Sequence, residues 1–265
     1  MQDEDPGAAE MLARHLENFA TLSPEEIAAI EATLALPVRS GSARRDLIVE
    51  GAPPRAVFLI VSGWACRFKT LEDGRRQIVG FLLPGDVCDL NNVLLARMDH
   101  SIGALTEVRY VEISNTALQR LSLEHPRVGQ ALSWQMLVTL STQREWTMNI
   151  GQRNALERLG SLFCELSLRL QAVGLATPLG YDFPLTQTDL ADATGLTSVH
   201  VNRTLQHLRA AGLISLSSRV LRIPDYAALE DASLFTPEYL HLDQRDTRRG
   251  HNLPGGVFPG GLAGR

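Results

Sequence analysis

The chain has 265 residues, is 45% hydrophobic and 21% charged, and carries a formal net charge of −5. This length and balance suit a globular protein of two modest domains. The sequence contains no run of about 18 apolar residues that would predict a membrane span. The acidic N-terminus also lacks the apolar core of a signal peptide. We therefore expect a cytoplasmic protein without a membrane partner.

The negative charge is concentrated at the start of the chain. Residues 1–31 carry eight acidic side chains and one arginine, so the remainder has a formal net charge of +2. Residues 197–211 contain Arg203 and Arg209 and no acidic side chain. Because association depends on the local field at the contact surface, the acidic total does not exclude nucleic acid as a partner.

The cysteines Cys66, Cys88 and Cys164 are widely separated and form no CxxC pair. The sequence therefore predicts neither a disulfide framework nor a metal or iron–sulfur site, and we expect no cofactor. Scattered cysteines also favour a reducing compartment.

The first half of the chain changes from helical to β-rich patterning. Residues 1–36 are predicted to be helical, with Ser23 as an N-cap and Glu26 at the capping-box position. Residues 44–113 contain short apolar runs separated by turn signals at intervals of about ten residues, which indicates a small antiparallel barrel or sandwich.

A long amphipathic helix is predicted to follow a short one that stops before Pro126. It spans roughly 24 residues, and one stripe along it is apolar: Val128, Leu132, Met136 and Leu140. Too little of the same chain surrounds this helix to bury the apolar stripe fully. Pairing with a second copy of the chain is the preferred interpretation, and docking on the β domain alone is the alternative.

The segment 184–224 has the pattern of a helix–turn–helix followed by a hairpin. Thr186 is predicted to cap the first helix, with Asp189 at the capping-box position. Gly195 is predicted to supply the turn and Thr197 to cap the second helix. The preceding stretch, LATPLGYDF (175–183), is expected to be a loop after the amphipathic helix that ends at Gly174.

The second of these helices is the candidate DNA-reading helix. Its spacing predicts a buried stripe of Val201, Leu205 and Leu208, with Arg203 on a free face. Arginine suits a bidentate contact to guanine or a phosphate clamp, and hydroxyls suit phosphate oxygens. For His200, packing or capping is a standing alternative. The predicted DNA-binding residues are Thr186, Thr188, Thr197, Ser198, Val199, His200, Arg203 and Gln206.

The order of these patterns resembles the Crp–Fnr family of bacterial transcription regulators. The motifs that carry the resemblance are GAPPRAVFLIVSGWACRFKTLEDGRRQIVGFLLPGD, with Gly51, Gly63, Gly74 and Gly85 at its turns, and LTQTDLADATGLTSVHVNRTLQHLRAAGLI. The implied fold class is α+β: an N-terminal antiparallel β-roll like that of cyclic-nucleotide-binding domains, a long dimerisation helix and a C-terminal winged helix–turn–helix. The N-terminal helices and β-roll would span residues 1–124, the long dimerisation helix 125–151 and the winged helix–turn–helix domain 152–230. A largely disordered tail would follow at 231–265.

The resemblance implies a homodimer, paired through the long helix, on a palindromic operator. Its two reading helices would enter successive major grooves of double-stranded DNA about one helical turn, ~10 bp, apart. A regulator of this kind would also contact RNA polymerase and would not be an enzyme. At the start of its reading helix this chain has Ser198 and Val199 where many family members have Glu or Arg-Glu, so the operator sequence is left open.

The effector is also left open. Family members that bind cyclic AMP carry Gly-Glu-Leu followed by Arg-Ser, whereas this chain has GDVCDL and MDHSI. Asp89 stands near the glutamate position and His100 at the arginine position, so the phosphate clamp is missing and cyclic AMP is not expected. The candidate effector pocket comprises Cys88, Asp89, His100 and Ser101, with a haem ligand at His100 and a redox switch at Cys88 as minor alternatives.

Two other classes of function compete with this interpretation. A ligand-sensing module without a DNA-binding role would leave segment 184–224 unexplained. A cupin-like metalloenzyme needs clustered histidine and carboxylate ligands, but residues 44–113 contain one histidine, His100.

Overall fold

The computed structural model of the chain describes residues 7–90 and 92–242. Two N-terminal helices precede a β-roll, and a long helix connects the roll to a C-terminal domain, defined here as residues 155–242. The predicted α+β class is confirmed. Within the described ranges, no helix is both long enough and apolar enough to cross a membrane.

The helices alternate with three blocks of strands. The helices are α1 Ala8–Leu16, α2 Pro24–Thr33, α3 Asn115–Glu124, α4 Pro126–Gln152, α5 Ala155–Ala172, α6 Gln187–Thr194, α7 Ser198–Ala210 and α8 Tyr226–Ser233. The strands are β1 Arg39–Gly41, β2 Asp46–Ile48, β3 Val57–Ser62, β4 Ala65–Thr70, β5 Arg76–Leu82, β6 Val87–Cys88, β7 Ser101–Ala104, β8 Val108–Ile113, β9 Ala176–Thr177, β10 Gly180–Asp182, β11 Ser215–Ser217 and β12 Val220–Arg222. Short 3-10 turns occupy Asn92–Leu94 and Glu238–Leu240.

The β-roll consists of two four-stranded sheets with antiparallel pairing. The first has the strand order β1-β8-β3-β6 and the second β2-β7-β4-β5. In β3, Phe58 and Ile60 face the space between the sheets, whereas Val57 and Leu59 pack against the helices outside. Successive side chains of a strand point to opposite faces. Because both faces of β3 are buried, its sequence VFLIV is apolar at every position.

The outer face of the second sheet is covered by the C-terminal domain. Trp64 and Phe81 of the roll belong to the same hydrophobic cluster as Phe163 and Phe183 of that domain. The ring centroids of Trp64 and Phe183 are 6.4 Å apart, and those of Phe81 and Trp146 are 5.7 Å apart. The two units therefore share one core.

The predicted glycine turns are confirmed, since Gly51, Gly63, Gly74 and Gly85 all have a positive φ. At Gly63 the requirement is also steric. A Cβ atom there would lie 2.1 Å from the carbonyl oxygen of Glu107, so no other residue fits without a backbone shift.

The long helix is covered by its own chain along only part of its apolar stripe. Val128 and Leu132 are buried against the N-terminal helices and the roll. Further along the stripe, Met136 and Leu140 are 37% and 49% exposed, and the neighbouring Leu137 is 56% exposed. This agrees with the expectation that the stripe is not fully buried within one chain.

Two parts of the predicted outline need correction. The loop predicted at 175–183 contains β9 and β10, and β10 pairs with β12. The signal was missed because these strands are two and three residues long and are held by tertiary contacts, such as the hydrogen bond from the Tyr181 hydroxyl to the Phe163 carbonyl (3.0 Å). At the N-terminus, the helical region is two helices separated by residues 17–23, and residues 1–6 lie outside the described ranges.

The predicted disordered tail also begins too early. Residues 231–242 complete α8 and form the turn at 238–240, with Phe235 and Leu240 buried. These apolar side chains fill the shared core, which a composition argument at the chain end does not reveal. The Gly/Pro-rich part at 253–265 lies outside the described residues.

A buried carboxylate fixes this C-terminal segment to the long helix. Glu165 of α5 is almost fully buried. It accepts hydrogen bonds from Trp146 Nε1 (2.9 Å), Arg169 Nη1 (3.1 Å) and the Tyr239 hydroxyl (2.9 Å). A buried charge needs such partners to offset its lost hydration, so Glu165 joins α4, α5 and the 238–240 turn.

Replacing Tyr239 by Phe should therefore lower the free energy of unfolding. A hydrogen bond to a charged group contributes about 1.5–3 kcal/mol, and the substitution removes one of the three donors around Glu165. Urea titration followed by fluorescence measures this loss. Tyr110→Phe, at a partly exposed ring in β8, is the control and should change stability by less than about 0.5 kcal/mol; equal losses in both variants would contradict this role of Glu165.

Candidate nucleic-acid interface and effector pocket

The first helix of the turn motif has the predicted capping box. The Thr186 hydroxyl oxygen accepts a hydrogen bond from the Asp189 backbone N–H (3.2 Å), and the Thr186 N–H donates to the Asp189 carboxylate (2.8 Å). Gly195 ends α6 in the left-handed conformation, with φ 68°. Both features were predicted, and together they set the angle at which α7 leaves the turn.

The second helix buries one stripe and leaves its beginning in solvent. Thr197 caps it by accepting from the His200 N–H (3.2 Å). The predicted stripe is confirmed, with Val201, Leu205 and Leu208 at 0%, 2% and 0% exposure. This stripe belongs to the shared hydrophobic core, so the helix has one orientation in which its polar side chains are free.

The remaining predicted residues of α7 lie on its outer surface. Ser198, Arg203 and Gln206 are exposed, and His200 is partly buried. Val199 is 82% exposed, so its side chain is available to an apolar partner. Gln206 donates a hydrogen bond to Asn202 one turn earlier (3.1 Å).

The two threonines predicted on the first helix differ in availability. The Thr186 hydroxyl already donates to the Asp189 carboxylate (2.7 Å) in addition to accepting from its N–H. Its hydroxyl is therefore engaged in the cap. Thr188, in the first turn of α6, is exposed and has the freer hydroxyl for a phosphate.

The hairpin after α7 adds a basic residue that the sequence pattern did not single out. Strands β11 and β12 pair around Ser218 and Arg219, which both have positive φ (50° and 59°) and form the turn. Both are exposed at the tip. The only sequence signal was a short polar turn between two apolar runs, which places a hairpin but not the direction of Arg219.

In the β-roll, the residues at the candidate effector pocket are held by one another. The Asp89 carboxylate lies 2.9 Å from Arg67 Nε and 3.2 Å from His100 Nε2. The other ring nitrogen of His100 is 2.7 Å from the Asp99 carboxylate. The structure thus brings the predicted pair Asp89 and His100 together, and adds Arg67.

This arrangement keeps a carboxylate charged inside the roll. Burial alone would raise the pKa of Asp89, but the charges and hydrogen bonds of Arg67 and His100 lower it to about 2. For His100, burial lowers the pKa, and the hydrogen bond and charge of Asp89 outweigh it, so that the net shift is upward. The charged forms of both groups are stabilised together.

The other two residues of the candidate effector pocket are Ser101, whose hydroxyl has a backbone partner, and Cys88, whose thiol is protonated. Ser101 Oγ accepts a hydrogen bond from the Glu50 N–H (2.9 Å), so this hydroxyl is not directed at Asp89. Cys88 is 1% exposed, and burial raises the pKa of its thiol well above the usual range. A protonated, buried thiol is a poor nucleophile, which disfavours the redox switch.

Arg67 is the pocket residue that the sequence pattern did not single out. It lies in β4, where its neighbours Cys66 and Phe68 face the C-terminal domain while Arg67 faces the opposite way. The signal was a charged residue at an inward position of an alternating strand. Arg67 also lines a cavity between the roll, α1, α4 and α5, together with Asp86, Gln135, Gln143 and Arg169.

Within residues 7–90 and 92–242, no group of three or more His, Cys, Asp or Glu side chains could hold a metal ion. His100 has carboxylates on both of its ring nitrogens. A haem iron at Nε2 would have to displace the Asp89 carboxylate, 3.2 Å away.

Comparison with known proteins identifies two domain types in the expected order. Residues 38–125 match the model of a cyclic nucleotide-binding domain, and residues 157–232 match that of a Crp-like helix-turn-helix domain. The transcriptional activator protein FnrL of Cereibacter sphaeroides is 32% identical over 220 residues, which is 82% of this chain and 87% of that protein. The nitrogen fixation regulation protein FixK of Azorhizobium caulinodans is 33% identical over 174 residues, 65% of this chain and 69% of that protein.

Solved structures show the same fold. The structure of FixK2 from Bradyrhizobium japonicum matches 75% of this chain and 98% of its own, with 23% identity and a TM-score of 0.66. The global regulator CLP of Xanthomonas campestris matches 77% of this chain and 100% of its own, with 18% identity and a TM-score of 0.59. At this identity the likeness concerns the fold alone.

The Asp89–His100 pair predicts a pH-dependent contribution to stability. Because the folded-state pKa of His100 is raised above 6.5, its contribution is complete below that pH and is lost as the pH rises through the folded-state value. Replacing His100 by Gln should therefore lower the free energy of unfolding more at about pH 6 than at about pH 8.

Urea unfolding at both pH values measures this difference. In an Asp89→Asn background the pH dependence of the His100→Gln effect should shrink, because the main group that raises the pKa has gone. An effect of His100→Gln that is equal at both pH values would contradict the assignment.

Proposed function

Because this chain belongs to the Crp–Fnr family of transcription regulators, we propose that it acts as a homodimer that binds palindromic operators in double-stranded DNA. The family consists of DNA-binding regulators and not of enzymes. In this proposal α7 enters the major groove and the β-roll is a sensor, or the remnant of one.

The observation that carries the proposal is the division of α7 into two faces. Val201, Leu205 and Leu208 are buried, while Ser198 and Val199 at its beginning are exposed. A reading helix needs this arrangement, because its apolar stripe holds it on the domain while its first turns reach base edges. The absence of acidic side chains from residues 197–211 gives this surface a favourable local charge.

The residues of the interface would divide between base edges and phosphates. Arg203 is the candidate for a bidentate contact to guanine, and Val199 for an apolar contact to a thymine methyl group. Thr188, Thr197 and Ser198 would contact phosphates near the positive ends of α6 and α7. His200 is partly buried and Gln206 is hydrogen-bonded to Asn202, so these two side chains would contribute less.

One residue extends this interface beyond the predicted ones, and one predicted residue has an indirect role. Arg219 at the tip of the hairpin is exposed, and it would reach the phosphate backbone beside the groove. Thr186 would contribute by capping the start of α6, since its hydroxyl and its N–H are both engaged with Asp189.

Dimerisation through α4 is supported by its exposed apolar side chains. Leu137 and Leu140 lie on the part of the helix that the roll does not cover. A helix with such a surface is stabilised by a partner that buries it. Pairing of α4 with its copy would also place two α7 helices in one complex, as a palindromic operator requires.

The effector of this protein would differ from cyclic AMP. In the candidate pocket Arg67 and His100 are already paired with Asp89. An anionic phosphate would have to displace this carboxylate or meet its negative charge, which costs binding free energy. Cyclic AMP is therefore excluded from the proposal, and any effector would be one that tolerates Asp89.

The proposed setting is the cytoplasm, where the regulator would also contact RNA polymerase. The described cysteines Cys66, Cys88 and Cys164 are free thiols.

Replacing Arg203 by Ala should weaken binding to a specific operator by about 1–3 kcal/mol if Arg203 reads a base. Gel-shift titrations at several salt concentrations measure this loss and the accompanying change in salt dependence. The control is Arg39→Ala, which removes the same charge from the β-roll. Unchanged operator affinity of Arg203→Ala would remove this residue from the interface.

Replacing Leu140 by Glu should raise the dimer dissociation constant by about 30-fold or more, as expected when a central interface residue contributing about 2 kcal/mol is lost. Sedimentation equilibrium measures this constant. Leu179→Glu is the control, because Leu179 is 64% exposed in the β9–β10 turn. A variant that dimerises like the unmodified protein would contradict pairing through this face of α4.

A further inference from the structure

An ion pair joins the β-roll directly to the first helix of the turn motif. Arg44, between β1 and β2, donates from Nη1 and Nη2 to the two carboxylate oxygens of Asp189, at 2.5 and 2.9 Å. The Asp189 side chain is 3% exposed and that of Arg44 is 45% exposed. A bidentate arginine–carboxylate contact fixes both distance and orientation, unlike a contact between point charges.

The Arg44 end of this pair has a rigid base. Arg44 has a left-handed backbone, with φ 62°, which non-glycine residues adopt only when their surroundings hold them there. The Arg44 N–H donates to the Ala104 carbonyl (2.8 Å), and the Ala104 N–H donates to the Arg45 carbonyl (2.8 Å). The loop is thus attached to β7 on both sides of the arginine.

The Asp189 end is equally constrained. The same carboxylate accepts the N–H and the hydroxyl of Thr186 at the start of α6. Burial would raise the pKa of Asp189, but the hydrogen bonds from Arg44 and Thr186 hold it below its usual value, so the group is ionised at neutral pH. Arg44 therefore contacts the first turn of α6, the helix against which α7 packs.

A second contact lies further along the same helix. Gln77 of β5 donates to the Ala193 carbonyl near the end of α6 (3.4 Å). Next to it, Arg76 lies with its guanidinium 3.9 Å from the ring of Phe68. Burial raises the pKa of Asp192 on α6, and the charge of Arg76 offsets part of that rise. Both ends of α6 thus contact the roll, its first turn through Arg44 and its last turn through β5.

The apolar contacts between the roll and the C-terminal domain define the orientation of α6 less well than these polar contacts do. Aromatic side chains such as Trp64 and Phe183 are non-directional in their hydrophobic contribution. A dimer on DNA, however, needs two reading helices at a fixed separation and angle. Contacts with defined geometry are required to set that angle before DNA is bound.

We propose that Arg44 is a positioning residue for DNA binding, which holds α6 and α7 at the angle that a dimer needs to engage two half-sites together. This inference rests on the proposed function. Arg44 would act on the spacing of half-sites that the dimer accepts, and not on the recognition of the bases within one half-site.

The test compares Arg44→Ala with the unmodified protein on three duplexes: the operator selected in vitro, the same operator with two base pairs inserted between half-sites, and a single half-site. The insertion rotates one half-site by about 70° relative to the other. The unmodified protein should lose roughly 100-fold in affinity on the inserted operator, because simultaneous engagement of both sites is lost.

Arg44→Ala should bind the single half-site like the unmodified protein. It should lose only about ten-fold between the operator and its inserted form, because a less constrained reading helix reaches the rotated half-site. Arg44→Lys keeps the charge but not the bidentate geometry, and should fall between the two. Arg45→Ala, at the exposed neighbouring arginine, is the matched control and should keep the full discrimination.

A mere loss of stability would lower affinity for all three duplexes alike and would leave the ratio between operators unchanged. Full spacing discrimination in Arg44→Ala, with an unmodified protein that discriminates, would overturn the positioning role and leave the proposed function intact. An unmodified protein that prefers no duplex would overturn the proposed function and this inference with it.

Discussion

The outer face of the second sheet of the β-roll must be covered, and the C-terminal domain covers it. Trp64, Phe68, Ile78 and Phe81 are apolar on this face and buried in the cluster that the two units share. Exposed together, these side chains would form a large apolar patch of the kind that soluble monomers avoid. The position of the helix–turn–helix on the roll therefore follows from the composition of β4 and β5.

This packing brings the candidate pocket and the reading domain onto the same strands. Strand β4 carries Arg67 on one face and Cys66 and Phe68 on the other. Strand β7 begins next to His100 and ends at Ala104, which holds the loop of Arg44. A change at the Asp89 carboxylate thus acts on a sheet whose opposite face contacts the domain that carries α7.

Much of the fold and part of the site could be predicted, because their signals are local. The capping boxes of Ser23 and Thr186, the left-handed Gly195 and the stripe of Val201, Leu205 and Leu208 each depend on residues within a few positions of one another. The exposed start of α7 follows from the same periodicity, since burying one stripe frees the opposite one.

The rest depends on contacts between distant parts of the chain. Strands β9 and β10 are too short for a local pattern, and Leu240 is buried only because α4 and α5 lie where they do. The partners of Asp89 and of Asp189 are 22 and 145 residues away. No spacing rule connects such pairs, so Arg67 and Arg44 emerged only from the structure.

The central claim is that the intact protein selects a two-fold symmetric DNA sequence. Sequencing of the duplexes that it retains from a randomised pool tests this claim most directly, because no operator has to be chosen beforehand. The expected result is enrichment of an inverted repeat whose half-site centres lie about one helical turn, ~10 bp, apart. Retained duplexes with no enriched sequence, or with a single asymmetric motif, would contradict it.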